Sequence, residues 1–350
     1  MGRVSIVLVT WNSARYLRRC LEGLAHQTHR DAELIVVDNA SADDSLARIP
    51  PAARLLRNDT NRGFSAAVNQ ALEVASGELI LVVNPDCHLL PEYVERLAQV
   101  FDDPTVGSAT GLLVRAKGDN IEPTNQIDSL GIRMTRTGRH LDIAQGVILS
   151  RVDGEGPPAV RRGVAVSAGG PSPSTRLRMT GITDTDRGPF EVFGVSGAAA
   201  MFRASFLRDV QIDGEALDED FFAYREDADL AWRGRLFGWR AVCEPAAVAY
   251  HVRRVTPEAR RELPPDVNMH SVKNRFLLRI KNEGAYLALR NLPFELARDL
   301  VVIAAALTVE RTSLPAFAWL WRNRARVLAK RREIQRRRKV SDRELAKWFR

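Results

Sequence analysis

Cysteine is rare in this sequence, and its spacing forms no recognised metal or disulfide pattern. Three cysteines, Cys20, Cys87 and Cys243, lie far apart in 350 residues. Widely spaced cysteines in an odd number argue against a zinc finger and a disulfide-stapled scaffold, and they fit a reducing compartment. The chain must therefore rely on a hydrophobic core, for which its length and 45% apolar residues are sufficient.

Long hydrophobic runs are also absent. The amino-terminal stretch MGRVSIVLVTWN has one arginine and a short apolar run, which is too short for a secretion signal and is typical of a first strand. No uncharged span of about 18 residues occurs, so the sequence predicts no helix that crosses a bilayer. These absences favour a cytoplasmic protein.

A net positive charge is absent outside the carboxyl terminus. The formal net charge is +8, but residues 322–350 hold 13 Lys and Arg against 3 Asp and Glu, a balance of +10. The other 321 residues therefore sum to −2. This distribution argues against a catalytic domain that binds nucleic acid and predicts a basic carboxyl-terminal extension.

Short apolar runs alternate with helical patterns in the first hundred residues. The strand-like runs are residues 4–9, 33–37, 54–57 and 78–83, and the helix-like stripes are 16–24, 65–75 and 91–101. This β-α-β-α order predicts an α/β fold with a mostly parallel, Rossmann-like central sheet and flanking helices.

Polar residues stand at the ends of successive predicted strands. They are Thr10, Trp11, Asn12, Asp38, Asn39, Asn84 and Asp86. The carboxyl ends of parallel strands form the ligand crevice of an open α/β sheet, so these side chains are expected to converge. A single loop aspartate is often only a turn or cap residue, but several polar strand ends together indicate a binding site.

Two adjacent carboxylates, Glu226 and Asp227, precede a helical run in the stretch EDFFAYREDADLAWR, residues 219–233. Carboxylates this close repel each other, so the pKa of one of them should be raised. A carboxylate with a raised pKa can accept a proton from a hydroxyl group. The alternative is a helix start, where acidic residues cap the first turn.

The pattern is weaker between residues 115 and 189. Residues 128–146 predict a β-ribbon with Gly131 and Gly138 in its turns, and residues 151–189 predict a long loop rich in Gly, Pro, Ser and Thr. Residues 190–202 predict one strand of small side chains, which either lets a ligand approach the backbone or packs under a helix.

Extended pieces and a basic helix follow the acidic pair. Residues 241–242 and 248–250 predict two short extended pieces, and the second brings His251 to a strand end. Residues 271–282 predict a basic amphipathic helix. Its cationic residues are expected to be mostly solvated rather than bound to phosphates, and they are Lys273, Arg275, Arg279 and Lys281.

Taken in order, these motifs resemble family 2 glycosyltransferases. The segments that carry the resemblance are VSIVLVTWN, VVDNAS, NRGFSAAVN, NPD, FGVSGAAAMFR and FFAYREDADLAWR, followed by His251. The similarity covers residues 3–285 apart from 151–189 and is greatest to the rhamnosyltransferase-like branch. It implies a GT-A catalytic domain at 1–285, composed of a nucleotide-sugar half at 1–114, the ribbon and loop at 115–189, and an acceptor half at 190–285.

The resemblance also implies roles for individual residues. Asp38 would accept a hydrogen bond from the imide of a pyrimidine, and Trp11 would stack on the base. Asp227 would be the general base of an inverting transfer, and Glu226 would position it or contact the acceptor. The other donor-binding positions would be Thr10, Asn12, Asn39, Asn61, Gly63, Asn69 and Asn84.

The implied metal site departs from the family pattern. Asp86 matches the last aspartate of the DxD motif, but Asn84 replaces the first. His251 matches a metal-ligating histidine and would complete a site for Mg²⁺ or Mn²⁺. Such an ion would stabilise the charge of the leaving diphosphate.

Residues 286–350 predict a helical extension. Its apolar part at 293–321 is interrupted by charges and a proline, contains Trp319 and Trp321, and precedes a strongly basic stretch at 322–338. An apolar face, tryptophans and a basic flank are typical of a helix that lies in a membrane interface. The alternative is a helical hairpin that packs on the catalytic domain or on a second subunit.

The favoured function is a glycosyltransferase at the inner face of the plasma membrane, with a dTDP- or UDP-sugar as donor. The best match is L-rhamnose from dTDP-rhamnose, transferred to a lipid-linked or cell-envelope glycan. A nucleotidyltransferase would need a Gly-rich basic phosphate loop after the first strand, where this sequence has TWNSARYL. A non-catalytic sugar-nucleotide-binding scaffold is the other alternative, because the first DxD acid is absent.

Overall fold

The computed structural model describes residues 2–149, 166–167, 188–253 and 265–350, so almost all of the loop predicted at 151–189 lies outside the described residues. The described strands are β1 Val4–Thr10, β2 Ala32–Asp38, β3 Arg54–Arg57, β4 Leu79–Val83, β5 Cys87–Leu89, β6 Val106–Lys117, β7 Glu122–Ser129, β8 Ile132–Met134, β9 His140–Asp142, β10 Ile148–Leu149, β11 Val166–Ser167, β12 Phe190–Val192, β13 Ala199–Arg203 and β14 Arg240–His251. The described α-helices are α1 Ala14–Ala25, α2 Phe64–Leu72, α3 Tyr93–Val100, α4 Ala204–Asp209, α5 Glu226–Leu236, α6 Pro265–Asn282, α7 Ala285–Thr308, α8 Pro315–Arg322, α9 Arg324–Arg337 and α10 Asp342–Leu345.

A central sheet in the order β11-β10-β7-β6-β13-β4-β1-β2-β3 organises the structure. Its part β4-β1-β2-β3 is parallel throughout, which confirms the α/β prediction. Strand β13 pairs antiparallel with both β4 and β6, so the complete sheet is mixed. The parallel part brings the carboxyl ends of β1, β2 and β4 to one edge, where most of the predicted site residues lie.

Both faces of the central sheet are covered by apolar side chains. In β1, Val7 and Val9 belong to a core on one face, whereas Ile6 and Leu8 belong to a core on the other. Successive residues of a strand point to opposite faces, so a doubly covered strand requires a continuous apolar run. Burial on both faces therefore explains the sequence of residues 4–9.

Two strand predictions for residues 190–285 differ from the structure in where the strands begin and end. Residues 190–202 form two strands rather than one, because β12 pairs with β14 while β13 enters the sheet between β4 and β6. Conversely, the extended pieces at 241–242 and 248–250 belong to one strand, β14, which has a register shift between Glu244 and Val248. Such an irregularity breaks the sequence periodicity without ending the strand.

The predicted ribbon is present. Strands β8 and β9 pair antiparallel between residues 132 and 142. Gly138 lies in the connecting turn with a φ of +68°, and Gly131 precedes β8 with a φ of +108°. Glycine adopts these positive φ values without the steric cost that a side chain would add.

The prediction of a mostly solvated basic face on α6 is wrong. Lys273, Arg275 and Lys281 are buried. Nζ of Lys281 contacts the carboxylates of Asp218 and Asp229, at 3.0 Å for the latter. Buried charges require such partners, so acidic residues distant in the sequence decide the environment of this helix.

The carboxyl-terminal helices pack against the rest of the protein. Helix α9 lies along α6, and Lys330 is buried against Glu215, Asp218 and Asp220. This packing corresponds to the alternative of a helical extension that docks on the catalytic part. Within the described ranges, none of the helices combines the length and apolar character that crossing a bilayer requires.

Candidate functional site

Asp38 lies buried at the carboxyl end of β2. Its Oδ2 accepts a hydrogen bond from the backbone N–H of Ser41 at 3.1 Å. Its Oδ1 has no hydrogen-bond partner among the described residues. Buried carboxylate oxygens are normally hydrogen-bonded, so this atom is suited to accept a donor from a ligand.

Trp11 and Asn12 follow β1 at the same edge of the sheet. The side chain of Trp11 is half exposed, which leaves its ring available for stacking. Asn12 has a φ of +48°, and its Oδ1 accepts the N–H of Ala42 at 2.7 Å. Asn12 therefore joins the loop after β1 to the loop after β2, while Trp11 faces solvent.

Three other predicted donor-binding residues hold loops in place. Nδ2 of Asn39 donates to the carbonyl of Gly63 at 3.1 Å, and Oδ1 of Asn61 accepts the N–H of Gly63 at 2.9 Å. Gly63 has a φ of +86°, and a Cβ there would lie 2.6 Å from the ring of Phe222. Only glycine fits this close approach, so the three residues shape the loop that precedes α2.

Thr10 and Asn69 complete the predicted donor set. Thr10 is buried at the end of β1, its carbonyl accepts the N–H of Asn39 at 2.9 Å, and its hydroxyl has no partner in the described part of the chain. Asn69 binds Leu217 through both ends of its amide, at 2.7 and 3.0 Å. Both ends of the Asn69 amide therefore anchor the loop at Leu217.

The turn that contains Asn84 and Asp86 connects β4 to β5. The N–H of Asn84 donates to the carbonyl of Ala198 at 2.8 Å. Asp86 is nearly buried, and its carbonyl accepts the N–H of Val252 at 3.0 Å. The turn is thus anchored to the segment before β13 and to the residue after β14.

His251, at the end of β14, faces Asp86. Nε2 of His251 lies 3.6 Å from Oδ1 of Asp86, and Nδ1 lies 2.7 Å from Oδ2 of Asp128. Asp128 is fully buried and also accepts two hydrogen bonds from Arg253. A carboxylate that accepts the Nδ1–H fixes the tautomer and orientation of the ring, as in metal-binding histidines.

Acidic neighbours control the protonation of His251. Burial alone lowers its pKa, but the hydrogen bond to Asp128 and the charge of Asp86 outweigh burial, so the pKa is raised. Burial raises the pKa of Asp128, but its bonds to His251 and Arg253 outweigh that effect, so the pKa is lowered. The site therefore favours positive charge at Nε2, which a proton or a divalent cation can supply.

The side chains around Asp86 fit a hard divalent cation. Two ligand atoms about 2.1 Å from one ion lie roughly 3–3.5 Å apart, which is close to the 3.6 Å between Asp86 and His251. Cys87 lies beside them, but its Sγ contacts the carbonyl of Ala198 at 3.2 Å and burial raises its pKa well above the ordinary value. Cys87 therefore stays a thiol, which leaves Asp86 and His251 as the candidate ligands in this group.

Glu226 and Asp227 begin α5, where the acidic stretch is expected to start a helix. Oδ2 of Asp227 accepts the N–H of Gly197 at 3.2 Å, and Oδ1 accepts the N–H of Ala228 at 2.7 Å. Burial raises the pKa of Asp227, and these two hydrogen bonds offset part of the increase. Burial and the charge of Asp227 raise the pKa of Glu226 to about 8.

Residues 197 and 198 connect the acidic pair to the turn at Asp86. The N–H of Gly197 binds Asp227, while the carbonyl of the next residue, Ala198, accepts the N–H of Asn84. Consecutive Cα atoms are about 3.8 Å apart, so the two acidic elements are anchored at neighbouring points of one backbone segment. A Cβ at Gly197 would lie 3.4 Å from Cβ of Asp227, which makes this glycine part of the wall beside the carboxylate.

A family model described as Glycosyl transferase family 2 matches residues 5–211, more than half of the chain. The chain belongs to glycosyltransferase family 2. Among the solved structures, GalNAc-T7 with UDP, GalNAc and Mn²⁺ is 13% identical, with a TM-score of 0.55 over 80% of this chain and 48% of that chain. At this identity the likeness shows the fold alone, which is the GT-A fold that the sequence resemblance implies.

Two relatives from Mycobacterium tuberculosis show how the similarity is distributed. The N-acetylglucosaminyl-diphospho-decaprenol L-rhamnosyltransferase is 27% identical over 261 residues, which cover 70% of this chain and 75% of that protein. An uncharacterized protein is 37% identical over 110 residues, 30% of this chain and 34% of that protein. The first three relatives are matched over only 34–38% of their own length.

A strained turn leads into α5 of this glycosyltransferase. Phe222 has φ +64° and ψ −66°, and the N–H of Ala223 donates to the carbonyl of Phe221 at 2.8 Å, which is the rare form of γ-turn. Tyr224 and Arg225 follow, each with a φ of +70°. Such conformations cost about 1–3 kcal/mol per residue, so the surrounding structure must hold them.

Two helices hold the turn at 221–225. Nδ2 of Asn274 in α6 lies within hydrogen-bond distance, 2.7–2.9 Å, of three of its carbonyl oxygens, which share the two amide N–H groups. The carbonyl of Phe222 accepts the N–H groups of Phe64 and Ser65, at the start of α2. The turn therefore lies between the helix that follows Gly63 and α6, directly before the acidic pair.

The sequence did not single out Asp128, Gly197 or Asn274. Asp128 is the first residue of the predicted ribbon, and Asn274 lies in a predicted helix whose pattern is marked by its basic residues. Only Gly197 had a signal, because its run of small residues predicted a close approach to the backbone. The partners of the other two lie more than 45 residues away in the sequence.

Proposed function

We propose that this family 2 glycosyltransferase is an inverting enzyme that moves a sugar from a nucleoside diphosphate to an acceptor hydroxyl. The observation that carries the proposal is the attachment of Asp227 and the turn at Asp86 to the consecutive residues 197 and 198. A proton acceptor and a turn suited to a diphosphate are thereby held in one site.

In this proposal, Asp38 and Trp11 bind the base of the donor. Oδ1 of Asp38 is buried without a partner in the described residues and accepts the imide N–H. The exposed ring of Trp11 stacks on the base. Thymine and uracil carry an imide N–H and cytosine does not, so we expect dTDP and UDP to bind more tightly than CDP.

Asp86 and His251 hold a divalent cation in this proposal, and that cation, when bound, stabilises the charge of the leaving diphosphate. The raised pKa of His251 supports a site that attracts positive charge. The presence of Mn²⁺ in GalNAc-T7, which shares the fold, also supports it. One imidazole and one carboxylate favour Mn²⁺ over Mg²⁺, because Mg²⁺ prefers oxygen ligands.

Asp227 acts as the general base. It takes the proton of the acceptor hydroxyl while the oxygen bonds to the anomeric carbon and the bond from that carbon to the diphosphate oxygen breaks. A single displacement of this kind inverts the anomeric centre. The N–H groups of Gly197 and Ala228 orient the carboxylate beforehand, and its raised pKa strengthens it as a base. Glu226, with its pKa of about 8, stays largely protonated at neutral pH. It positions Asp227 or contacts the acceptor.

We further propose L-rhamnose from dTDP-rhamnose as the transferred sugar and a lipid-linked glycan as the acceptor. The relative that is 27% identical over 70% of this chain supports both, because its name specifies L-rhamnosyl transfer to N-acetylglucosaminyl-diphospho-decaprenol. The second candidate is a sugar-nucleotide-binding scaffold without turnover. Asn84 favours it, since the site then has one carboxylate fewer than the family's DxD motif.

The first experiment is calorimetric binding of dTDP, UDP and CDP, with and without Mn²⁺ or Mg²⁺, to the wild type and to Asp86→Ala. We expect dTDP or UDP to bind only weakly without metal and the substitution to remove the metal dependence. A nucleotide Kd that changes neither with the metal nor with Asp86→Ala would contradict the metal site. Absence of nucleotide binding would contradict the proposed donor class.

The second experiment tests the base. Asp227→Asn should lower the rate of sugar transfer by about 100- to 10,000-fold and leave the Kd of the nucleotide within about twofold. The matched control is Asp102→Asn, an exposed aspartate on the loop after α3, which should leave both unchanged. Full turnover by Asp227→Asn would overturn the assignment.

A further inference from the structure

Helix α7 turns its polar side chains toward the protein and its apolar side chains outward, the reverse of an ordinary surface helix. Its polar residues Asn291, Glu295, Arg298 and Asp299 recur at helical spacing, and the first two are buried. Glu295 and Asp299 both pair with Arg279 of α6, at 2.8 and 2.7 Å. The polar stripe of α7 therefore faces the protein, whereas a soluble helix normally turns its apolar stripe inward.

The outward face of α7 is apolar along its whole length. None of the exposed residues between Ala285 and Thr308 carries a charge. Leu289, Leu300 and Leu307 are 75%, 58% and 56% exposed. A helix of 24 residues is about 36 Å long, so this face is a continuous apolar surface rather than a few scattered leucines. Surfaces of this kind mark interaction sites.

The exposed charges of the carboxyl-terminal helices indicate what covers this face. In residues 285–339, no exposed residue is acidic, and the exposed basic ones are Arg311, Arg322, Arg324, Arg326, Arg332, Arg336 and Lys339. A second copy related by two-fold symmetry would bring basic residues against basic residues. An anionic lipid surface would instead neutralise them.

We propose that the outer face of α7 lies in the interface of an anionic lipid bilayer, with the basic residues of α8 and α9 against the headgroups. Trp321 is 68% exposed, and the guanidinium of Arg324 lies 4.2 Å from its ring centre. An exposed tryptophan beside arginines is a typical interface anchor. Because its polar stripe stays paired with α6, α7 binds the surface without leaving the protein. This inference does not depend on the proposed reaction.

The test is cosedimentation of the full chain with vesicles of phosphatidylcholine that contain about one third phosphatidylglycerol, against phosphatidylcholine alone. The wild type should bind the anionic vesicles at least about tenfold more tightly. The triple variant Leu289→Gln, Leu300→Gln, Leu307→Gln keeps every charge and should bind them at least about tenfold more weakly than the wild type.

A second triple variant tests the charges. Arg311→Gln, Arg322→Gln and Arg332→Gln should weaken binding to the anionic vesicles about tenfold and change binding to neutral ones by less than about twofold. The matched control, Arg30→Gln, Arg48→Gln and Arg208→Gln, removes the same charge from exposed sites elsewhere and should bind like the wild type. Thermal unfolding midpoints establish that all variants are folded.

Three outcomes would overturn the inference. The first is a wild type that binds anionic vesicles no more tightly than neutral ones. The second is a leucine variant that binds as tightly as the wild type. The third is a wild-type dimer in light scattering that the leucine variant dissociates while neither binds vesicles, because the apolar face would then belong to a second copy. Nucleotide binding measured on the same samples reports separately on the donor site.

Discussion

At the residue scale, the acidic pair divides into two environments. Asp227 is partly exposed and its carboxylate accepts two backbone hydrogen bonds. Glu226 is buried, and its Oε2 has no hydrogen-bond partner within the described ranges. The sequence predicts that repulsion raises a pKa in this pair, and the structure adds burial as the larger cause.

The buried Glu226 predicts a specific pH dependence of stability. Its pKa is raised to about 8, so the native state keeps a proton that the unfolded chain releases above about pH 4.5. The stabilisation from this proton is present below about pH 4.5 and is lost as the pH rises toward 8. Glu226→Gln removes the titration. The amount by which its free energy of unfolding exceeds that of the wild type should therefore be about 4 kcal/mol larger at pH 8 than at pH 4.5.

Urea denaturation at the two pH values measures this difference. Glu73→Gln, at an exposed position directly after α2, is the matched control and should show the same pH dependence as the wild type. An unchanged difference between Glu226→Gln and the wild type across the range would show that Glu226 is ionised in the native state.

Asp128 is a positioning residue for the proposed metal site. Its carboxylate holds Nδ1 of His251 and is itself held by Arg253. Asp128→Asn should lower the affinity for Mn²⁺ about 10- to 100-fold in the presence of dTDP, because the orientation and charge behind the imidazole are lost. Asp103→Asn, which breaks the exposed pair with Arg240, is the control and should leave the Kd for Mn²⁺ unchanged. Equal Kd values for Asp128→Asn and the control would remove Asp128 from the site.

Only some residues of the candidate site could be predicted from the sequence. Asp38 and Asp86 follow apolar strands, and the end of a parallel strand has one expected place in the fold. Asp128 has no such marker, because its position behind His251 depends on the pairing of β14 with β6 and of β6 with β7. The first of these pairings joins segments more than 100 residues apart.

At the element scale, the turn at 221–225 links the two halves of the site. Its first part accepts hydrogen bonds from the start of α2, and its last residue precedes Glu226. Residues with positive φ persist only where their surroundings hold them, and Asn274 supplies three of the contacts. The turn therefore sets the position of Asp227, the proposed general base, relative to the start of α2.

Asn274→Ala should displace Asp227, the proposed base, without disturbing the binding of the donor. We expect kcat to fall about tenfold or more while the Kd for the nucleotide changes by less than about twofold, since small displacements of a catalytic group are costly. Asn268→Ala, in the same helix, is the control. A variant that keeps its kcat, or that loses kcat and nucleotide binding together, would contradict a positioning role.

Elements with local signals were predicted better than elements defined by distant partners. The strands β1, β2 and β4 are continuous apolar runs and were recognisable from periodicity. The division of residues 190–202 into β12 and β13 could not be recognised from periodicity. It depends on two different neighbours, because β12 pairs with β14 and β13 pairs with β4. The burial of α6 was missed for the same reason, since its carboxylate partners are remote in sequence.

At the scale of the whole molecule, the basic extension serves two purposes. Some of its charges point inward, where Arg337 donates to the carbonyl of Gln211 and Arg331 to those of Ile280 and Glu283. Others stay exposed and are available to an anionic surface. The sequence shows the surplus of positive charge in residues 322–350 but not this division, which depends on which side of α9 faces α6.

Lys330 is the inward charge that holds α9 most directly. It is buried, and its Nζ contacts Glu215 at 3.0 Å, Asp218 at 2.7 Å and Asp220 at 3.2 Å. Burial would lower its pKa, but these carboxylates outweigh that effect and raise it. Removing one partner of a buried ion network leaves uncompensated charge, which typically costs 3–5 kcal/mol.

Lys330→Met retains the length of the side chain and removes its charge. We expect the free energy of unfolding to fall by about 3 kcal/mol, because Asp218 and its neighbours lose a buried cation. Lys339→Met, at an exposed position of the same extension, should change it by less than about 0.5 kcal/mol. Urea denaturation of both variants measures the difference. If Lys330→Met were as stable as Lys339→Met, the extension would not depend on this network for its attachment, and the division of its charges would have to rest on other contacts.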